Sequence, residues 1–415
     1  MKKKLLLFTM YFDPEPVGIG PMATGLADYL AEHGWDVTVV TAVPKLPQWE
    51  IYPDYRGRLL VRENRAGIAI QRTWIYVPPR ARGGLMPAWQ RVLFDSTVAL
   101  GAIPATLSLP HQDLIVSITP PLQLAAAAIA LKKLWRCPLL NWIQDIVPDA
   151  AMNVGMMHEG KIVQLARRLE NFIYTHSDLI GVISEGFRAN LLTKGVPPEK
   201  IVLLSNWSIA SAFETPVDRV AVRAAHGIGP DDFLMIHAGS ISAKQVLENV
   251  IRGMKLLDAD PSFHLLMLGD GNRREAVQHE AESLGAPRIR FLGTVSNRDH
   301  ADLLRSADLL ILNQLHNLID ALVPSKLLTY LPSGIPVLAA VHPESEAARF
   351  IHDAGCGVVI EAENPRAFAD AVIALKTQPE MRTRMGAAGK KYVTEFYSKP
   401  PLLARFDATL HGLLN

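Results

Sequence analysis

The sequence predicts an α/β protein built from two parallel-sheet units in tandem. Short β-rich runs alternate with longer helical patterns along nearly the whole chain, the arrangement expected of parallel strands covered by helices. The alternation breaks once, at a polar, irregular segment near Ile209–Asp218, and then restarts. The length of 415 residues exceeds one ordinary domain and suggests two or three.

The elements follow in order. The opening MKKKLLLFTMYFDPEP imitates a secretion signal, but its apolar run from Leu5 to Phe12 is short. Asp13 and Glu15 follow it where a small-residue cleavage site would stand. Leu5–Met10 therefore reads as a buried first strand, followed by a helix near Pro21–Glu32 and a strand at Asp36–Ala42. The run from Leu114 to Leu131 is long enough to span a membrane. Pro120-Pro121 splits it into a strand, LIVSIT, and a helix, LQLAAAAIALKKLW. Further strands fit Leu114–Ile118, Leu139–Ile143, Leu179–Ile183 and Ile201–Leu204. After the break come FLMIHAG, a helix from about Val246, HLLMLGD, a helix from Arg273, IRFLGTV, a helix from Asp299, LLILNQ, PVLAAV and GVVIEA.

Composition narrows the function. Hydrophobic residues make up 49% and charged residues 20%, enough for a large core and against disorder. A net charge of +1 gives no case for nucleic acid as a partner. Cys137 and Cys356, the two cysteines, are far apart and form neither metal nor disulfide spacing, so a cytosolic compartment is the default. His176, His237, His264 and His300 lack ligand spacing and read as strand, core or surface histidines, so no metal is expected.

Three stretches carry candidate chemistry. Met10–Gly20 reads MYFDPEPVGIG, a strand running into a loop with Gly18 and Gly20 and then a helix. Glycines there suit either a plain turn or close approach of backbone to a phosphate. Phe233–Val250 reads FLMIHAGSISAKQVLENV, a buried strand ending at Gly239-Ser240, with Lys244 just before a helix and free to be solvated or to meet an anion. Ala321–Ala339 reads ALVPSKLLTYLPSGIPVLA. Pro324 suits a first helical turn, Lys326 follows Ser325, and Ser333-Gly334-Ile335-Pro336 stops the helix. A cation at a helix start runs against the dipole, so Lys326 either points to solvent or attends an anionic ligand. Strand carboxyl ends are where open α/β sheets bind ligands.

With these residues in view the chain resembles the retaining glycosyltransferases of family 4, which have the two-Rossmann GT-B fold. It is most similar to the bacterial subgroup that builds exopolysaccharides, which includes the colanic acid fucosyltransferase. The pieces that carry the resemblance include YFDPEPVGIGPMATGLADYLAEHGWDVTVVTA, SITPPLQLAAAAIA, NWIQDIVPDAAMNVGMM and HSDLIGVISEGFRANLLTKGV in the first unit. In the second they are HAGSISAKQVLENVI, LLMLGDGNRREAV, IRFLGTVSNRDHADLLRSADL and the Ala321–Ala339 stretch.

The resemblance implies an acceptor-side domain at 1–208, a nucleotide-sugar-binding domain at 209–390 and a C-terminal helix at 391–415 returning to the first domain. It implies transfer of a sugar from a UDP- or GDP-linked donor, with no cofactor, to a polyprenyl-diphosphate-linked saccharide. The family's diphosphate-binding lysine corresponds to Lys244. The arginine common a few residues earlier falls at Ser240, beside Gly239, and Lys326 is the candidate replacement cation. Gly18 and Gly20 match the glycine loop near the transferred sugar, and Val295 falls where backbone meets the base. Of two glutamates eight positions apart in many members, the first falls at Ala321 and the second, which holds the ribose, at Thr329. Thr329 lies one turn after Ser325 on the same helix face, and Asp320 is a candidate for the first role. Asp145, in NWIQDIVPD, either caps a helix before Pro148 or orients an acceptor hydroxyl, and the resemblance favours the second. Asn206 in SNWS marks the crossover between domains, with a structural role.

Rival readings are a sugar-nucleotide 2-epimerase of the same fold, a non-catalytic sugar-nucleotide-binding protein and a tandem dinucleotide oxidoreductase. The last is disfavoured because neither glycine loop has the dinucleotide spacing. Trp74–Leu109 mixes aromatics, aliphatics and arginines, with Trp74, Tyr76, Trp89 and Phe94 suited to a lipid–water interface and Arg72, Arg80, Arg82 and Arg91 to anionic headgroups. It reads either as a core helix with a basic rim or as a surface that rests on the cytoplasmic face of a membrane, and the resemblance favours the second.

Overall fold

The structure, a computed structural model, describes residues 2–16, 18–78, 87–146, 160–318 and 325–415. The chain divides into one unit of Met1–Asn206 with Pro400–Asn415, and a second of Trp207–Lys399. The first division falls at Asn206/Trp207 rather than at 208/209. The second unit runs on past 390 to take in the helix Pro379–Phe396.

Among the described residues the first unit holds eight strands: β1 (Lys3–Phe8), β2 (Trp35–Ala42), β3 (Leu60–Arg65), β4 (Ile68–Thr73), β5 (Leu114–Thr119), β6 (Leu139–Ile143), β7 (Leu179–Val182) and β8 (Ile201–Leu203). They lie in the order β3-β4-β2-β1-β5-β6-β7-β8. All neighbours are parallel except β3 and β4, an antiparallel hairpin. The sequence reading leaves this hairpin out, for two physical reasons. β3 (LVRENR) is an edge strand with no buried residue, so it carries no apolar run. Its two-residue turn places both Ala66 and Gly67 at positive φ, as such turns require, yet Ala-Gly lacks the asparagine or aspartate that usually marks them.

The second unit holds β9 (Phe233–Ala238), β10 (Phe263–Leu268), β11 (Ile289–Leu292), β12 (Leu309–Asn313), β13 (Val337–Ala340) and β14 (Gly357–Ile360) in the order β11-β10-β9-β12-β13-β14, all parallel. Along β9 successive side chains enter opposite cores: Leu234, Ile236 and Ala238 join one cluster, Phe233 and Met235 the other. Both sheets are doubly wound. Strand order reverses between β1 and β5 in the first unit and between β9 and β12 in the second, and the carboxyl ends at such reversals are the natural ligand sites.

The last helix, Lys399–Leu413, belongs with the first unit from Pro400 onward. Asp407 accepts a hydrogen bond from the Trp35 indole at 2.7 Å, and Phe406 meets Trp142 edge to face at 5.1 Å.

The Trp74–Leu109 stretch only partly matches its interfacial reading. Phe94 is fully buried, Tyr76 is half-buried, and Arg72 is 2% exposed with its Nε on Glu63 at 2.7 Å, so these help build the unit rather than coat it. Arg91 pairs with Asp95 at 2.9 Å. Arg80 and Arg82 lie outside the described residues. What the helix Ala88–Thr106 does expose is an apolar stripe at helical spacing: Trp89 (61%), Leu93, Leu100, Ile103 and, just past its end, Leu107 (74%). No helix among the described residues is long and apolar enough to cross a membrane.

At the end of β1 a fully buried pair, Glu15 and Lys45, ties two loops together. Glu15 Oε1 accepts from the Lys45 and Leu46 amides at 3.1 Å and from Lys45 Nζ at 3.4 Å, while Oε2 accepts from the Phe12 amide at 3.4 Å. Lys45 Nζ also sits over the Tyr11 ring, 4.4 Å from its centroid. Burial pulls the Lys45 ammonium below its ordinary range, and Glu15 opposes that pull. Glu15→Ala strands a buried cation and three backbone donors, so urea unfolding should show a loss of roughly 3–5 kcal/mol. Glu15→Leu combined with Lys45→Met should recover much of it.

Candidate active site

The site begins where the second sheet reverses. β9 runs out of the core into Gly239 and Ser240, both exposed. Gly239 has φ +123°, and a Cβ there would stand 2.8 Å from Lys326 Cε, so the lysine stem lies across the bare backbone. The neighbouring turns are as close: a Cβ at Gly269 would strike the Gly239 carbonyl, and one at Gly271 the Ile241 carbonyl. Glycine is therefore required here by the approach of the chain to itself as well as by backbone angle.

Lys326 comes from the short helix Ser325–Tyr330. The residue is half-buried. Nζ lies 3.2 Å from His237 Nε2, and burial brings its pKa down to about 7. His237, in β9, is fully buried, with Nδ1 3.3 Å from the Ile311 carbonyl of β12. Burial and the nearby lysine hold its pKa well below the ordinary histidine value. One turn on from Lys326, the Tyr330 hydroxyl accepts from the Ala238 amide at 2.7 Å and lies 3.0 Å from the Ala238 carbonyl and 3.3 Å from that of Ile311. It fastens the helix to β9 and β12 together.

Lys244 sits half-buried on a one-turn 3₁₀ segment, Ala243–Gln245, and has no ion-pair partner among the described residues. The turn is clamped from the end of β12. Its Lys244 carbonyl accepts from the Leu315 amide at 2.9 Å, and Asn313 Nδ2 donates to the carbonyls of Gln245 and, at 3.0 Å, of Val246. Val246 has φ +41°, a strained backbone for a β-branched residue, and it begins the helix Leu247–Leu256. Ser325 is exposed and Thr329 half-buried, its hydroxyl donating to the Ser325 carbonyl at 3.3 Å. Val295 packs against the core just before Ser296, which caps the helix Asn297–Ser306. Asp320, Ala321 and Pro324 lie outside the described residues.

In the first unit, Gly18 is exposed with φ +67°, whereas Gly20 is buried at the start of its helix, and a Cβ there would meet the Glu15 carbonyl at 2.7 Å. The bare Cα of Gly20 thus faces its own loop. Asp145 follows β6, and Pro148 lies outside the described residues. Burial raises the Tyr11 phenol above its ordinary range. Arg91 opposes this, and the charges of Asp95, Glu15 and Asp145 add to it, so these groups share one neighbourhood at the strand ends. Asn206 donates to the Gln144 side chain at 2.8 Å, beside Asp145.

Residues 17–207 match a family model described as a glycosyl transferase 4-like domain, and residues 218–392 match one described as glycosyl transferases group 1. The chain belongs to the glycosyltransferases. This glycosyltransferase is 25% identical to a protein of Escherichia coli K12 named as a colanic acid biosynthesis glycosyl transferase, WcaI, over 99% of this chain and 100% of that one. Its fold is GT-B. A sucrose-phosphate synthase from Thermosynechococcus elongatus superposes with a TM-score of 0.78 at 15% identity, covering 99% of both chains. HepE of Anabaena, solved in complex with UDP-glucose, superposes with a TM-score of 0.70 at 13% identity, also over 99% of both.

The structure thus brings Gly239, Lys326 and the Lys244 turn to one sheet reversal of the glycosyltransferase, and adds His237, which the sequence reads as a strand, core or surface histidine, and Tyr330 and Asn313, which the sequence reading does not single out. Two spacings could have found the first two: His237 and Gly239 share a strand face, and Lys326 and Tyr330 share a helix face. The Lys326 amine supplies a pH test. Between about pH 7 and its ordinary value of 10.5 the unfolded chain holds a proton that the folded chain lacks. Stability should therefore rise with pH across that window, and the rise should shrink in Lys326→Met, as read by chemical denaturation.

Proposed function

We propose that the chain is a retaining glycosyltransferase that moves a sugar from a UDP- or GDP-linked donor to a polyprenyl-diphosphate-linked saccharide in bacterial surface polysaccharide synthesis. The observation that carries the reading is the Lys326 amine lying over bare Gly239 at the β9/β12 reversal, with Lys244 on the adjoining turn. Two amines and an exposed glycine turn suit a diphosphate, which needs positive charge and close backbone approach. The UDP-glucose bound by HepE and the colanic acid role in the name of the Escherichia coli relative support the donor class and the pathway type.

In this reading the second unit binds the donor and the first the acceptor. Charge grows on the leaving diphosphate as the glycosidic bond breaks, and Lys244 and Lys326 stabilise it. The acceptor attacks from the face the diphosphate leaves, and the leaving phosphate oxygen takes the acceptor proton. Asp145 orients the acceptor hydroxyl, so the work is mostly positioning. Thr329 contributes a hydroxyl oxygen toward the ribose. The two lysines supply the charge that a metal would otherwise bring, and no cofactor takes part. The exposed stripe Trp89–Leu93–Leu100–Ile103–Leu107 supports contact between the first unit and the cytoplasmic membrane face that carries such acceptors.

A panel of UDP- and GDP-sugars should show release of one nucleoside diphosphate, stimulated by a lipid-linked acceptor and unaffected by EDTA. An epimerase would alter the sugar without that release, and a binding protein would do neither. Lys244→Ala should lower kcat/KM roughly 30- to 150-fold, the equivalent of about 2–3 kcal/mol, with little change in unfolding. Wild-type protein should sediment with anionic vesicles, and Trp89→Ser with Leu100→Ser should remain in the supernatant.

A further inference from the structure

His237 is buried in β9 and takes no part in the transfer described above. Its two ring nitrogens face different partners. Backbone groups of both Ile311, whose carbonyl lies 3.3 Å from Nδ1, and Ser240 hydrogen-bond the ring in a way that favours its protonation, and a proton on Nδ1 serves the first of them. With the proton there, Nε2 keeps a lone pair that can accept from Lys326 Nζ, 3.2 Å away. Lys326 reaches this lone pair only by crossing Gly239, where any side chain would stand 2.8 Å from its Cε.

We propose that His237 is a positioning residue whose Nε2 lone pair holds the Lys326 amine beside Gly239, ready for the diphosphate of the donor. The proposal rests on the reading of the second unit as the donor-binding unit.

The choice of a neutral acceptor has a physical consequence. A carboxylate in the same place would hold the lysine more tightly but cancel its charge and compete with the diphosphate. An imidazole that stays neutral directs the amine and leaves its charge to the ligand. Among the described residues, no carboxylate lies on the strands and short helix that carry or flank this pair. β9 carries His237 alone, β12 and β13 have no titratable side chain, and β10 has only His264, paired with Asp232 at 3.2 Å beside its opening end. The short helix adds Tyr330, bound to Ala238, and the turn after β9 adds Lys244. Asp270, in the exposed loop after β10, accepts from the Gly271 amide. With the free amine titrating at about pH 7, an arriving diphosphate draws a proton from solvent onto Lys326, while His237 remains neutral.

The test is binding of inorganic pyrophosphate by calorimetry from about pH 6 to about pH 9, in buffers of different ionisation enthalpy. Wild-type affinity should be level below about pH 7 and fall up to about tenfold per pH unit above it, with proton uptake. Lys326→Met should bind weakly with no such break. His237→Leu should move the break to lower pH and weaken binding roughly tenfold at neutral pH. His237→Gln, which keeps an acceptor at the Nε2 position, should restore it. Should the leucine variant fold poorly, His237→Asn, which lacks that acceptor, takes its place. Added to Lys326→Met, the His237 change should cost nothing further. An unmoved break, or additive losses in the double variant, would overturn the proposal. Competitive acylation of Lys326 in the free protein reads the same titration without a ligand. An unmoved titration in His237→Leu overturns the proposal, whereas wild type that ignores pyrophosphate overturns the donor reading.

Discussion

The reversal of strand order between β9 and β12 is the constraint on which the second unit depends. Strands added on either side leave in opposite directions, so the chain cannot cover the carboxyl ends of the two central strands with a connecting helix. What fills that gap must come from elsewhere in the sequence. The hydroxyl of Tyr330 does so by bonding the Ala238 amide while lying against the Ala238 and Ile311 carbonyls, which seats its short helix on both strands. Lys326 is carried into place by that seating. Asn313 does the same for the turn bearing Lys244, holding the carbonyls of Gln245 and Val246 and keeping Val246 at an unfavourable angle. The two cations are thus delivered by neutral hydrogen bonds.

Most of the fold is legible in the sequence because parallel strands are buried on both faces and read as continuous apolar runs. FLMIHA, LLILN and VLAA are buried throughout, as such runs should be. The β3–β4 hairpin is not legible, since an edge strand has no core to declare and Ala66-Gly67 turns without the usual side chain. The site is legible at its glycines and lysines, whose types advertise anion binding. It is illegible at His237 and Asn313, whose roles lie in which neighbour each nitrogen faces. Gly20 teaches the reverse lesson: a glycine in a phosphate-suited loop is accounted for by the Glu15 carbonyl above it.

The same distinction governs the aromatic and basic residues of Trp74–Leu109. The stretch and the preceding Arg72 offer four arginines and four aromatics, and folding sorts those that the structure describes. Arg72 spends its charge on Glu63 within the hairpin, Arg91 on Asp95, and Phe94 goes wholly to the core. Among the described residues the exposed stripe of the helix Ala88–Thr106 is apolar, made by Trp89, Leu93, Leu100 and Ile103, with Leu107 just past its end.

The closing helix Lys399–Leu413 makes the first unit discontinuous, because Asp407 and Phe406 supply partners for Trp35 and Trp142. During synthesis, β2 and β6 emerge before the second unit, yet Asp407 and Phe406 leave the ribosome only after it. The second unit is an insertion and can finish folding while the first still waits for its cover. Nascent chains therefore carry Trp35 and Trp142 without these partners until the closing helix has been made, and a chain cut short after the second unit would keep them so.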